Sequence, residues 1–327
     1  MIATENRPAA VLPASDSRGG VTATITPRPT GRTRTTSARA NVVPTPSTEA
    51  TTFVTSNMLD GAWDDDRYGN LLAVLATLGG DVIGLQEAKE WDKHDFARVC
   101  ETAEALGMQA LFAPSASHEC HLVLLYRAEA LSLKKWTPDA ACRKFHHTLQ
   151  RAEFAIRATG EDVTVLHTHL DPFSGDGRKK EASWLTEYAK HDTSGVLLGD
   201  LNTIGADDPE PNWDLFPPRL HSRHRLVLPD GRFGPADRRA IRSLTAAGFV
   251  DPFTHLGLGP VPTVGHFDPR EPDEHRSDHI LVSPGLTDRL LGCAVVNTPQ
   301  AKRGSDHLMV VTQIAHRAPA TPESVNP

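Results

Sequence analysis

An α/β fold with a sheet-rich core is predicted by three observations. Short apolar runs recur along the chain, several of them too continuously apolar to have a wet face. Helical stripes that stop at glycine lie between them. At 327 residues and 39% hydrophobic content, the chain is long and apolar enough to bury a sizeable core. Taken in order, strands are expected at residues 53–57, 82–87, 122–126, 163–170, 196–202, 279–283 and 308–314. The first expected helix, residues 67–78, aligns Leu71, Leu75 and Leu78 before Gly79; the second, 95–106, aligns Phe96, Val99, Ala103 and Leu106 before Gly107. A third is expected near 179–191 and a fourth at 236–247, closed by Gly248.

The ends read differently. Residues 1–50 hold ten Thr, six Pro and no aromatic residue, a composition that cannot offset the entropy of ordering, so they are expected to form a disordered arm. A second short tail is expected at 317–327, leaving a folded domain over 51–316. Six Arg against three acidic residues make the arm +3, so the overall charge of -7 places -10 on the remainder. That acidity removes the general attraction a basic protein has for nucleic acid or anionic lipid. No apolar run approaches the roughly 20 residues of a membrane-spanning helix. The start lacks a basic stretch followed by an apolar one, so a cytoplasmic location is expected. Cys100, Cys120, Cys142 and Cys293 form no CxxC pair and read as buried thiols.

The chemistry lies where the expected strands end. Asn57, Glu87, His169, Asp200, Asn202, Asp278, Asp306 and His307 fall at or just beyond strand signals, in TSNML, GLQE, HTHLD, GDLNT, RSDHILVS and GSDHLMVV. Hard divalent cations want oxygen donors, which Glu87, Asp306 and Asn57 supply. A histidine whose orientation is fixed by a carboxylate can exchange a proton or face a phosphoryl oxygen, and Asp278 is placed to orient His307.

The ordered set TSNML, DVIGLQE, HLVLLYR, VLHTHLD, GVLLGDLNT, RSDHILVSPGL and RGSDHLMVV resembles the endonuclease/exonuclease/phosphatase superfamily, over about residues 51–316. The resemblance implies a four-layer αββα sandwich of two similar halves, with the site above the paired sheets, and metal-dependent phosphoester hydrolysis. It implies that Asn57, Glu87 and Asp306 contact the metal, magnesium or manganese. It implies that Asp200 and Asn202 activate water and stabilise the transition state, that His169 contacts phosphate, and that His307 is the essential histidine, oriented by Asp278. His167 and His279 stand where the family often has asparagine and tyrosine.

The expected reaction is attack of water, in line with the leaving oxygen, on a phosphodiester in the manner of a nuclease. The alternatives are a phosphatase or phosphodiesterase of a small phosphorylated metabolite or an inositol or lipid headgroup, and an inactive binding module. The partner is thus a phosphoester, nucleic acid or small molecule. Residues 219–242 carry seven arginines; Arg219, Arg223 and Arg225, in a proline-punctuated loop after GDLNT, are expected at the substrate, whereas Arg238, Arg239 and Arg242 are expected on a solvated helix face. His118, Cys120 and His121 have zinc-like spacing without a clear fourth ligand, and Asp64–Asp66 read as a helix cap rather than a calcium loop.

Overall fold

The computed structural model describes residues 40–317 with His191 and Glu271 excepted. Its strands are β1 (Ala50–Asn57), β2 (Val82–Gln86), β3 (Gln109–Ala113), β4 (Leu122–Tyr126), β5 (Leu131–Thr137), β6 (Leu149–Ile156), β7 (Asp162–His169), β8 (Gly195–Asp200), β9 (Arg225–Val227), β10 (Phe233–Ala236), β11 (Asp278–Val282), β12 (Leu290–Val295) and β13 (Val310–Ala315). The helices are α1 (Asp65–Leu78), α2 (Ala97–Leu106), α3 (Gly175–Leu185), α4 (Pro218–His224), α5 (Arg239–Ala247), α6 (Pro252–His255) and α7 (Pro299–Gly304).

One sheet runs β12-β13-β1-β2-β4-β3 and the other β11-β8-β7-β6-β5, with β9 and β10 a separate hairpin. Phe53, Leu85, Phe154, Val165, Leu198 and Ile280 share one buried cluster that joins the two sheets and extends to Leu71 and Leu75 of α1. A second cluster packs Ala182 and Leu185 of α3 and Ile241 and Leu244 of α5 on Leu166, Leu197 and Leu281. Alternation along each strand explains the continuous apolar runs. Leu198 faces the partner sheet and Leu197 faces the helices, so both phases are dry. The layers are therefore helix, sheet, sheet, helix, as expected.

Helix boundaries follow local chemistry. Asp64 caps α1 by accepting from the Arg67 amide at 2.9 Å, and Gly79 ends it at φ 57°. The helix expected at 179–191 starts earlier, because Ser174 caps it, and gives way to a 3₁₀ turn at 186–188. The one expected at 236–247 starts at Arg239 because β10 takes the residues before it. Arg238 is not solvated as expected: it is buried, with its guanidinium on Glu210 and the carbonyls of Gly205, Asp208 and Pro209. Cys100 and Cys142 are exposed, not buried, while Cys120 and Cys293 are buried as expected.

The body of the expected arm, residues 1–39, and residues 318–327 of the tail lie outside the described residues. The inner end of the arm is attached. Asn41 exchanges two hydrogen bonds with the Val295 backbone, each of 2.9 Å, Thr45 accepts from Gln313, and Glu49 accepts from the His316 amide. These bonds carry the ordered fold some ten residues upstream of the expected edge at residue 50. Among the described residues no helix is long and apolar enough to cross a membrane.

His167 and His279 are structural. His167 is fully buried between Gln86 of β2, at 2.6 Å, and Gln150 of β6, at 2.9 Å, and burial pushes its imidazole down to about 3. His279 donates from Nε2 to the Thr203 carbonyl at 2.8 Å.

Gly199, next to Asp200 at the end of β8, tests how tightly the site is built. Its φ is 149°, and a Cβ there would lie 1.8 Å from the Thr168 carbonyl oxygen, a backbone atom of the neighbouring strand. Because β7 is held in parallel register with β8, neither strand can yield cheaply. Gly199→Ala is expected to destabilise the fold by about 3 kcal/mol or more; an urea midpoint equal to that of the parent would contradict this reading of the close approach.

Candidate active site and metal centre

Both sheets contribute. From the first come Asn57 at the end of β1, Glu87 after β2, and Asp306 and His307 before β13; from the second come His169, Asp200 and Asp278 on β7, β8 and β11. Parallel pairing sets His169 beside Asp200, and antiparallel pairing sets Asp278 on the other side of Asp200. The expected residues are thereby brought together across the sandwich.

Asp200 is the hub. Its Oδ1 accepts from the Asn202 amide at 2.8 Å and the Ser277 hydroxyl at 2.9 Å. Its Oδ2 accepts from the Asn57 amide at 3.2 Å and lies 3.4 Å from His169 Nε2 and 3.7 Å from His307 Nδ1. Burial alone would raise its pKa, but the two imidazoles, the Asn202 amide and the Ser277 hydroxyl outweigh it and keep the carboxyl ionised.

His307 donates from Nδ1 to Asp278 Oδ2 at 2.8 Å, so Nε2 is the nitrogen left for substrate. Burial would lower its pKa. The Asp278, Asp200 and Asp306 carboxylates reverse this and raise it well above the usual imidazole range, making it an imidazolium. Asp278 itself is held by the hydroxyl of Thr263, which accepts from the Ser277 and Asp278 amides at 3.0 and 3.2 Å. One step upstream, the buried Arg276 guanidinium spans Asp208 and Asp251, with contacts of 2.5–3.1 Å.

Glu87 and Asp306 are the oxygen donors that fit a hard cation. Glu87 accepts from the Asn57 amide at 3.1 Å and the Asp60 amide at 3.0 Å, and it sits at φ 54°, a strained left-handed conformation for a glutamate. Among the described residues neither Glu87 nor Asp306 forms an ion pair with lysine or arginine. Burial raises the Asp306 pKa, and the like charges of Glu87 and Asp278 add to the rise against the pull of His307. Two carboxylates held close enough to repel, with neither lysine nor arginine paired to them among the described residues, have the donor chemistry that fits a hard cation. Asp200, Asp278 and His307 also place donor atoms within 4.8 Å of one another, but the His307 nitrogen is occupied by Asp278. The Asn57 side-chain oxygen accepts from the Leu59 amide at 2.9 Å, and its NH₂ bridges Glu87 and Asp200.

The remaining expectations divide. His169 is buried, with Nε2 3.4 Å from Asp200 and its ring stacked on His147, ring centres 4.4 Å apart. Asn202 adopts φ 48° and donates to the Leu170 carbonyl at 3.0 Å; with Arg219, Arg223, Asp306 and His307 it lines the cleft. Arg219 and Arg223 belong to α4 rather than a loop. Arg225 is not brought to the cleft: its guanidinium ties the β9–β10 hairpin through the Gly234 and Phe233 carbonyls and covers Trp213. His118, Cys120 and His121 point apart, His118 stacking on His146, Cys120 against the His118 carbonyl and His121 toward Asp92, which removes the zinc reading. Ser277 and Ser305 went unnoticed in the sequence. Ser305 donates to the Asn57 carbonyl at 2.8 Å and accepts from the His307 amide, fastening one strand end to the other. The tripeptide Ser-Asp-His, present at 277–279 and again at 305–307, was the available signal.

A profile described as the endonuclease/exonuclease/phosphatase family matches residues 54–307. Solved structures share the fold. An AP endonuclease from Archaeoglobus fulgidus is similar at 19% identity and TM-score 0.59, over 80% of this chain and 98% of that one. A mannosyl-6-phosphatase from Bacteroides thetaiotaomicron is similar at 17% identity and TM-score 0.55, over 80% and 98%. ANGEL2, a 2',3'-cyclic phosphatase, is similar at 17% identity and TM-score 0.55, over 81% and 94%. A search of curated proteins gives no significant match.

Proposed function

The chain belongs to the endonuclease/exonuclease/phosphatase family, and from that premise we propose that its cleft cleaves a phosphodiester by in-line attack of water, with magnesium or manganese as the ion held by Glu87 and Asp306. Metal-dependent hydrolysis of phosphoesters is the activity of the family; the diester and the identity of the ion are our reading. The observation that carries it is the pair of carboxylates, Glu87 and Asp306, with no lysine or arginine partner among the described residues, beside an imidazolium and an ionised Asp200.

When bound, a divalent ion supplies positive charge to the phosphoryl oxygens. The chain's own groups do the rest. Asp200, whose Oδ1 takes two hydrogen bonds while Oδ2 takes only that of Asn57, is kept ionised and is a weak base, so its Oδ2 orients the water by accepting from it and takes the proton only as the bond to phosphorus forms. The His307 imidazolium, held by Asp278, presents Nε2–H to charge developing on the phosphate. Asn202 keeps its second amide N–H for a non-bridging oxygen, and Arg219 and Arg223 give the cleft wall its positive charge. Asn57 and Ser305 keep the two sheets' contributions in register.

Dialysis against EDTA is expected to abolish hydrolysis of bis-nitrophenyl phosphate, and added magnesium or manganese to restore it. The same ions should raise the melting temperature, because they relieve the repulsion between Glu87 and Asp306. Full turnover in the metal-free protein would overturn the mechanism.

A further inference from the structure

Beside the cleft stands a wall of rings that the hydrolytic reading does not use. Phe173 is 45% exposed. The exposed His118 ring lies 5.4 Å from it and the His146 ring 5.5 Å, and the two imidazoles stack on each other at 5.4 Å. The Arg223 guanidinium covers the Phe173 ring at 4.8 Å, and the same arginine lines the cleft with Asn202, Asp306 and His307. His146 also meets His147, which stacks on His169, so the wall continues inward to Asp200.

Buried charge holds this wall in place. Glu181 of α3, 3% exposed, accepts from the backbone amides of His146 and Asp171. Arg178, 1% exposed, donates to the carbonyls of Asp171 and Arg223. Asp171 in turn accepts from the Phe173 and Ser174 amides at 2.8 and 3.1 Å. One buried acid and one buried base thus fasten the three segments that carry His146, Phe173 and Arg223. Burial pushes the Glu181 carboxyl up to about 7 and the Arg178 guanidinium below its ordinary range, and the two orient surface side chains rather than the core.

We propose that this wall receives a nucleobase, so that the phosphoester in the cleft is carried by a nucleotide unit whose base is unstacked. The inference rests on the hydrolytic reading above and names the substrate class of that site. Phe173 and the Arg223 plane offer stacking area, which is tolerant of base identity. The imidazoles, kept neutral by burial in the case of His146, offer both donor and acceptor edges, which suit a heteroaromatic base better than an apolar ring. A sugar phosphate or an inositol phosphate has no flat ring to place there.

Calorimetric titration of the full chain in magnesium, with adenosine 5'-monophosphate, ribose 5-phosphate and phenyl phosphate as probes, tests this without requiring turnover. The nucleotide is expected to bind about tenfold more tightly than ribose 5-phosphate. Phe173→Ala should bring that ratio close to unity, and Phe173→Tyr should keep it. Equal affinities in the parent protein, including no measurable binding of either, overturn the proposal, as does a ratio unchanged in a folded Phe173→Ala. Phenyl phosphate binding as tightly as the nucleotide would also overturn it, since the wall would then read any ring. Hydrolysis of bis-nitrophenyl phosphate, followed in parallel, separates the two readings. Activity without nucleotide preference removes only the wall's role, whereas nucleotide preference without metal-dependent activity removes the hydrolytic reading.

Discussion

His307→Ala is expected to lower turnover by about a hundredfold or more while changing KM little. The expectation follows from the placement of the ring: Nδ1 is spent on Asp278, and the imidazolium faces charge that appears only as the phosphate becomes five-coordinate. Such a group stabilises the transition state more than the bound substrate, so its loss falls on kcat. Asp278→Asn should weaken the same effect through the histidine, without touching substrate. The asparagine keeps the shape and removes the charge that raises the imidazole pKa, so the pH–rate profile should shift toward acid with the histidine. Near-normal turnover in a folded His307→Ala protein would take the residue out of the catalytic set, and an unmoved pH profile in Asp278→Asn would reduce Asp278 to packing.

Arg276→Ala should cost about 3–5 kcal/mol of stability. The guanidinium is buried and holds two carboxylates, Asp208 and Asp251, that are themselves almost entirely out of water. Its removal leaves two uncompensated charges in the interior, and the penalty for that exceeds the net value of the original bonds. The variant's melting temperature should fall steeply, and activity with it, because Ser277 and Asp278 follow directly in the chain. Arg276→Ala combined with Asp208→Asn and Asp251→Asn should recover much of the loss. A single variant as stable as the parent would show that the triad adds nothing the fold needs.

The sandwich core and most of the site were legible in the sequence because both rest on short-range rules. Runs such as 122–126 and 195–200 are dry on both faces and announce themselves by composition, and the polar residues that end them are placed by the strands. β5, β6 and β12 were missed for the opposite reason. β5 and β6 carry Lys134, Lys135, Arg151 and Glu153 on a half-wet face, and β12 contains Gly292, so their apolar pattern is diluted. The misplacement of Arg225 and Arg238 shows where linear reasoning stops. Proximity in the chain to Asp200 says that a segment starts beside the site, but whether an arginine meets solvent, substrate or a carbonyl depends on pairings such as Arg238 with Glu210 that only the folded chain defines. His169 illustrates the same limit within the motif itself: the residue is where it was expected, and only the fold shows its ring beside the Asp200 carboxylate.

The order in which the strands enter the first sheet has a consequence for how the protein is made. β1 is the first strand of the described fold, yet it lies between β2 and β13, and β13 is the last. During synthesis one side of β1 therefore stays bare until residues 310–315 emerge and pair with it, from Ala50 against Ala315 to Thr55 against Val310. Asp306 and His307 arrive in the same few residues. A chain stalled or cleaved before residue 306 carries Glu87 and Asp200 but neither the imidazolium nor a closed sheet, and its open edge invites aggregation. Hydrolytic power and protection from self-association thus both wait on one short stretch, residues 306–315.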